Sequence, residues 1–189
     1  MNKRKHLNIC LDMNYHQILE NIYMDIRPYA QVGKQADYIP ALASVDPDQF
    51  GICINTLQGD EYALGQADTR FSIQSISKVF SLAYCMSILG DNVWLRMDKE
   101  PSGTAFNSLI QLELEKGYPR NPFINAGAIV MSDILLSHLS HPREDYIAFI
   151  REISHNDTIN YNDVVVRSEE SQGYLNAAIA NLLKYYHNI

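Results

Sequence analysis

Apolar side chains fall at Ile18, Leu19, Ile22, Tyr23 and Ile26, three and four residues apart. That spacing marks one face of a helix. Asn14 stands before it as a cap, and Arg27-Pro28 ends it, because proline cannot continue the helical hydrogen bonding. Residues 33–43 follow as a loop ending in Tyr38-Ile39-Pro40. The period then changes. Residues 50–57 are rich in β-formers, Gln58-Gly59-Asp60 supplies a turn, and 61–64 can pair back, which predicts a β-hairpin.

Beyond Phe71 the helical period returns. Ile76, Val79, Phe80, Ala83, Tyr84 and Ser87 repeat at three and four and predict a helix over 75–89, stopped by Gly90. The loop Glu100-Pro101-Ser102-Gly103 leads to a short helix over 106–115, and residues 117–122 form a turn region. A largely buried helix is predicted over 125–139, and an amphipathic one opened by Pro142 runs to about 153. A last helix covers 169–186, with Tyr174, Ala178, Ile179, Leu182 and Leu183 inward. The order is thus helix, hairpin, then helices only. A lone hairpin is marginal in water, so the pattern predicts a mostly helical α+β fold with an incomplete antiparallel sheet, its further strands lying beyond residue 189. Residues 1–31 form an N-terminal tail and helix, and 32–189 form the main domain.

Composition adds exclusions. Hydrophobic residues make up 47% of the 189, enough for a packed core, and the net charge of −7 argues against a nucleic-acid partner. The one basic run, Lys3-Arg4-Lys5, reads as a solvated tail. No apolar stretch of signal-peptide or membrane-spanning length follows it, so a soluble cytoplasmic protein with no membrane contact is expected. Cys10, Cys53 and Cys85 are too scattered for a disulfide framework, and Cys53 and Cys85 read as small core residues. His138 and His141 have no nearby third ligand and read as surface histidines. No metal or organic cofactor is expected.

The chemistry concentrates in Ser75-Ile76-Ser77-Lys78, an S-x-x-K segment. Residues three apart share one helix face, which sets Lys78 beside Ser75. A serine hydroxyl becomes a good nucleophile when a neighbouring base takes its proton. Lysine serves as that base once burial lowers its pKa, and the positive end of the helix dipole pushes the same way. The backbone N–H of Ser75 at a helix start can also face an oxyanion. About one such tetrapeptide is expected by chance in a chain of this length. By itself, then, it reads first as a capping serine followed by a solvated lysine.

The surrounding blocks carry more. The segment from Phe71 to Lys78 resembles the active-site stretch of the bacterial-type glutaminases, which share the fold of serine β-lactamases and penicillin-binding proteins. Ala36-Asp37-Tyr38-Ile39-Pro40-Ala41-Leu42-Ala43 is similar to that family's N-terminal signature. Glu100-Pro101-Ser102-Gly103 with Phe106-Asn107-Ser108, then Asn121-Pro122-Phe123-Ile124-Asn125-Ala126-Gly127-Ala128, then Ser168-Glu169 with Asn176-Ala177-Ala178, are similar to three more of its blocks, in order.

The resemblance implies Ser75 as nucleophile and Lys78 as its base, acting on L-glutamine through a seryl-acyl intermediate. It further implies a pocket shared by Ser75, Asn125, Glu169 and Asn176, and a homo-oligomer. On a continuous helix Glu169 and Asn176 would share one face, two turns apart, and Asn176 would be a buried amide in need of partners. The family's pattern continues past residue 189 with pocket tyrosines and a Lys-Ser-Gly-like strand, so the chain reads as C-terminally truncated. Two alternatives stand beside this reading. One is another serine acyl hydrolase of the β-lactamase type, which a β-lactam would label. The other is an inactive fragment serving as a helical interaction module.

Overall fold

Asn14 opens the first helix in the computed structural model, which describes residues 14–30 and 32–189. Its side-chain oxygen accepts the Gln17 N–H at 3.1 Å and caps α1 (Tyr15–Ile26) as expected. The basic run at residues 3–5 and Cys10 lie outside the described residues. The chain divides into two compact units, one ending at Phe71 and the other spanning Ser72–Ile189.

In the first unit a short helix, α2 (Pro40–Ala43), interrupts the expected loop, with proline at its first turn. Strands β1 (Gly51–Asn55) and β2 (Glu61–Gly65) pair antiparallel, from Gly51 opposite Gly65 to Asn55 opposite Glu61. Helix α1 packs on this hairpin through Tyr15 against Tyr62, 5.5 Å between ring centroids, and Tyr23 against Phe50 at 5.2 Å. Of the predicted inward face only Leu19 is fully buried, and Ile18, Ile22 and Ile26 remain exposed. Strand alternation also corrects Cys53. It points outward between the half-buried Ile52 and Ile54, so it is not a core residue.

The second unit is helical: α3 (Ser77–Leu89), α4 (Leu109–Leu114), α5 (Asn125–His138), α6 (Pro142–Ser154), α7 (Asp163–Glu170) and α8 (Tyr174–Tyr185). Helix α5 is central, packed on α3 and on α8. Val130, Met131 and Ile134 are fully buried, together with Cys85, Met97 and Leu183. Each such large apolar side chain contributes about 1.5–3 kcal/mol relative to exposure, which makes this the stabilising centre of the unit. Gly90 ends α3 with a φ of +56°, as predicted.

Three expectations about faces and lengths are corrected. Along the pattern predicted for α3, Phe80 and Tyr84 are half-buried while Ile76, Val79, Ala83 and Ser87 are exposed; Cys85 is fully buried, with Lys78, Ser81, Leu82 and Ile88 half-buried around it. Two of the half-buried positions, Lys78 and Ser81, are polar and hold hydrogen bonds. The helix expected over 106–115 begins only at Leu109, where the Ser108 hydroxyl accepts the Gln111 N–H at 3.2 Å. The helix expected over 169–186 is two helices, α7 and α8, broken at Ser171-Gln172-Gly173. Serine and glycine there both disfavour a helix interior, and the Ser171 hydroxyl donates back to the Ser168 carbonyl at 2.7 Å. Tyr174, expected inward, opens α8 and is exposed. The two-stranded sheet is the only sheet among the described residues, and none of their helices is long and apolar enough to cross a membrane.

Candidate functional site

Ser75 lies in a single 3-10 turn, Gln74–Ile76, directly ahead of α3 rather than inside it. Ser75 and Lys78 are three residues apart, across the junction of that turn with α3. Gln74 adopts a φ of +44°, a left-handed conformation uncommon outside glycine and a local source of strain. The Ser77 hydroxyl holds this residue by donating to the Gln74 carbonyl at 2.7 Å. Ser75 itself is exposed.

Lys78 extends from the first turn of α3 across to the start of α5. Its Nζ donates to the Phe123 carbonyl at 3.0 Å and to Asn125 Oδ1 at 2.9 Å. Both acceptors are neutral, and among the described residues Lys78 forms no ion pair. Partial burial lowers its pKa below the usual lysine range. Two acceptors match the two N–H groups of a neutral amine and leave its lone pair for a third direction.

The same bond orients Asn125. The Asn125 oxygen accepts from Lys78, and the Asn125 amide nitrogen donates to Asn176 Oδ1 at 3.0 Å. This leaves the Asn176 NH2 pointing away from the pair. A directed chain therefore runs Lys78 to Asn125 to Asn176 and joins α3, α5 and α8. Asn176 is exposed, not buried as expected, but it has the partner that the buried reading required.

The turn before α5 presents the Phe123 carbonyl. Asn121 Oδ1 accepts the N–H groups of Phe123 and Ile124 at 2.9 and 3.2 Å, and its own amide donates to the Glu100 carbonyl at 2.8 Å. Gly127, one turn into α5, lets this turn lie against the helix. A Cβ there would sit 2.1 Å from the Asn121 oxygen and 2.8 Å from Pro122 Cα, closer than real Cβ atoms approach backbone. The Asn-Pro-Phe-Ile-Asn-Ala-Gly run is thus one packing unit, and its glycine and first asparagine were not singled out by sequence reasoning.

Glu169 stands apart. It is exposed in the last turn of α7, and no residue of α7 is buried. The break before α8 removes the shared helix face expected for Glu169 and Asn176. Among the described residues no group of three His, Cys, Asp or Glu could hold a metal ion, and His138 and His141 are exposed.

The glutaminase family model matches residues 33–189. The glutaminase of Rhizobium johnstonii is 51% identical over 174 residues, covering 90% of this chain and 56% of that protein. Among solved structures, a probable glutaminase, ybaS, superposes with a TM-score of 0.86 at 31% identity, over 92% of this chain and 56% of the other. A probable glutaminase from Bacillus subtilis complexed with 6-diazo-5-oxo-L-norleucine gives a TM-score of 0.74 at 31% identity, over 94% and 54%. The chain spans just over half the length of the relatives it matches.

Proposed function

The chain belongs to the glutaminase family, and on that premise we propose that it hydrolyses the side-chain amide of L-glutamine, with Ser75 as nucleophile and Lys78 as its base. The observation that carries this reading is the setting of Lys78. It lies one turn past an exposed serine and bonds only to neutral acceptors, with its pKa lowered by burial.

The steps follow from that setting. Neutral Lys78 takes the Ser75 proton as Ser75 Oγ bonds to the amide carbon. The tetrahedral oxyanion faces backbone N–H groups at the 3-10 turn. When the C–N bond breaks, Lys78 returns the proton and ammonia leaves. Water, deprotonated by Lys78, attacks the glutamyl ester, and glutamate departs as Ser75 regains its proton. Asn125 and Asn176 contribute amide donors for the substrate's polar groups, and Glu169 pairs with its ammonium. Residues 32–189 are read as one glutaminase domain of the β-lactamase and penicillin-binding-protein type, in a cytoplasmic homo-oligomer, with no cofactor.

The test is ammonia release from L-glutamine by the wild type and by Ser75→Ala. Release by the wild type alone is expected. Equal release by both proteins would remove Ser75 from the mechanism.

A further inference from the structure

The first turn of α3 carries three hydroxyl-mediated contacts that the chemistry above does not use. The Tyr146 hydroxyl, reaching over from α6, lies 3.0 Å from the Ser77 carbonyl and 2.9 Å from the Ser81 hydroxyl. The Ser81 hydroxyl lies 3.1 Å from that same carbonyl. Two protons therefore serve three contacts: both hydroxyls reach the Ser77 carbonyl as donors, and the Tyr146–Ser81 contact can run in either direction. Ser77 in turn grips Gln74, the left-handed residue immediately before Ser75. One turn further along, Tyr84 of α3 stacks on Phe149 of α6 at 4.3 Å and 9°, which fixes the register of the two helices.

We infer that Tyr146 is a positioning residue, which with Ser81 braces the first turn of α3 and through Ser77 holds the strained turn that presents Ser75. Tyr146 touches neither Ser75 nor substrate in this role. The inference rests on the reading of Ser75 as nucleophile. A backbone carbonyl in a helix is already served by the N–H four residues on, so helix formation does not need the added hydroxyls. They converge on the carbonyl of the residue that links the turn before Ser75 to Lys78 after it. Burial raises the Tyr146 pKa, so the phenol keeps the proton it donates.

Tyr146→Phe removes only the hydroxyl and keeps the ring. Two readouts decide the matter in the full chain: hydrogen exchange, and inactivation by 6-diazo-5-oxo-L-norleucine followed by intact mass. The expected result is exchange about tenfold faster confined to residues 74–82. With it goes a maximal inactivation rate slowed about 10- to 100-fold at unchanged half-saturation, since small displacements of a reacting group carry penalties of that size. Exchange and inactivation both at wild-type values would overturn the inference. If Tyr146→Phe loosens the whole helical unit, Ser81→Ala takes its place. Local loosening there supports the brace, and wild-type exchange there overturns it. A wild type that takes no label refutes the nucleophile reading, and the exchange result then decides the brace separately.

Discussion

The two sides of the candidate site are built differently. On one side, Lys78, Asn125 and Asn176 form a directed hydrogen-bond chain across three helices, resting on the buried face of α5. On the other, Glu169 rides on α7, a helix that buries none of its residues. The side proposed to move protons is held from several directions, whereas the side that would meet the substrate's ammonium is held mainly by its own helix. Proton transfer demands placement within hydrogen-bond reach, but an ion pair in water tolerates more slack and yields less energy.

The sharpest break in that comparison is Lys78→Met. It removes the base and leaves two acceptors facing an apolar side chain. Turnover should fall by about 100- to 10,000-fold, the range for loss of a general base, read as initial rates of ammonia release. Gly127→Ala comes next. The added Cβ would drive into the Asn121 carbonyl and push the Phe123 carbonyl off Lys78. Destabilisation of about 3 kcal/mol is expected in urea unfolding, at the upper end for overpacking. Asn125→Leu cuts the middle of the chain and should lower stability by about 1–3 kcal/mol, because partners are left unpaired. Glu169→Gln belongs to the other side. Stability should stay within about 0.5 kcal/mol, while KM for glutamine rises and kcat holds.

The smallest effect is one of pH. Lys78 has a folded pKa below its unfolded value of about 10.4. Between the two values the unfolded chain binds more protons, so stability rises with pH across that window. Measured against Lys78→Met, the wild type should gain stability as pH climbs from its lowered folded value toward about 10.4. A flat difference would mean that Lys78 titrates alike in both states.

The same contrast explains what was legible in the sequence. Helix α5 was foreseen nearly to its ends because its core residues are apolar at helical spacing. So was α1, through its asparagine cap. On α3 the apolar period does not mark Lys78 and Ser81, polar residues that are half-buried near Cys85. Hydrophobic periodicity cannot register a face whose contacts are hydrogen bonds. The α7–α8 break was missed because Ser171-Gln172-Gly173 interrupts a pattern whose apolar period resumes on the far side. The site residues on α3, α5 and α8 came from short blocks similar to a known family, and the structure brings Lys78, Asn125 and Asn176 into one network. Tyr146 was read only as part of an amphipathic helix, since nothing local to its sequence marks a partner 65 residues away.

The central claim is that Ser75 is a nucleophile activated by Lys78, and covalent capture tests it most directly. The protein is treated with 6-diazo-5-oxo-L-norleucine, whose reactive carbon stands near the position of the glutamine amide. Bond formation to Ser75 Oγ expels dinitrogen and leaves an adduct readable by intact mass and peptide mapping. One adduct on Ser75, lost in Ser75→Ala and strongly slowed in Lys78→Met, is the predicted result. An adduct on another residue, or labelling of Ser75 at the wild-type rate without Lys78, would contradict the account.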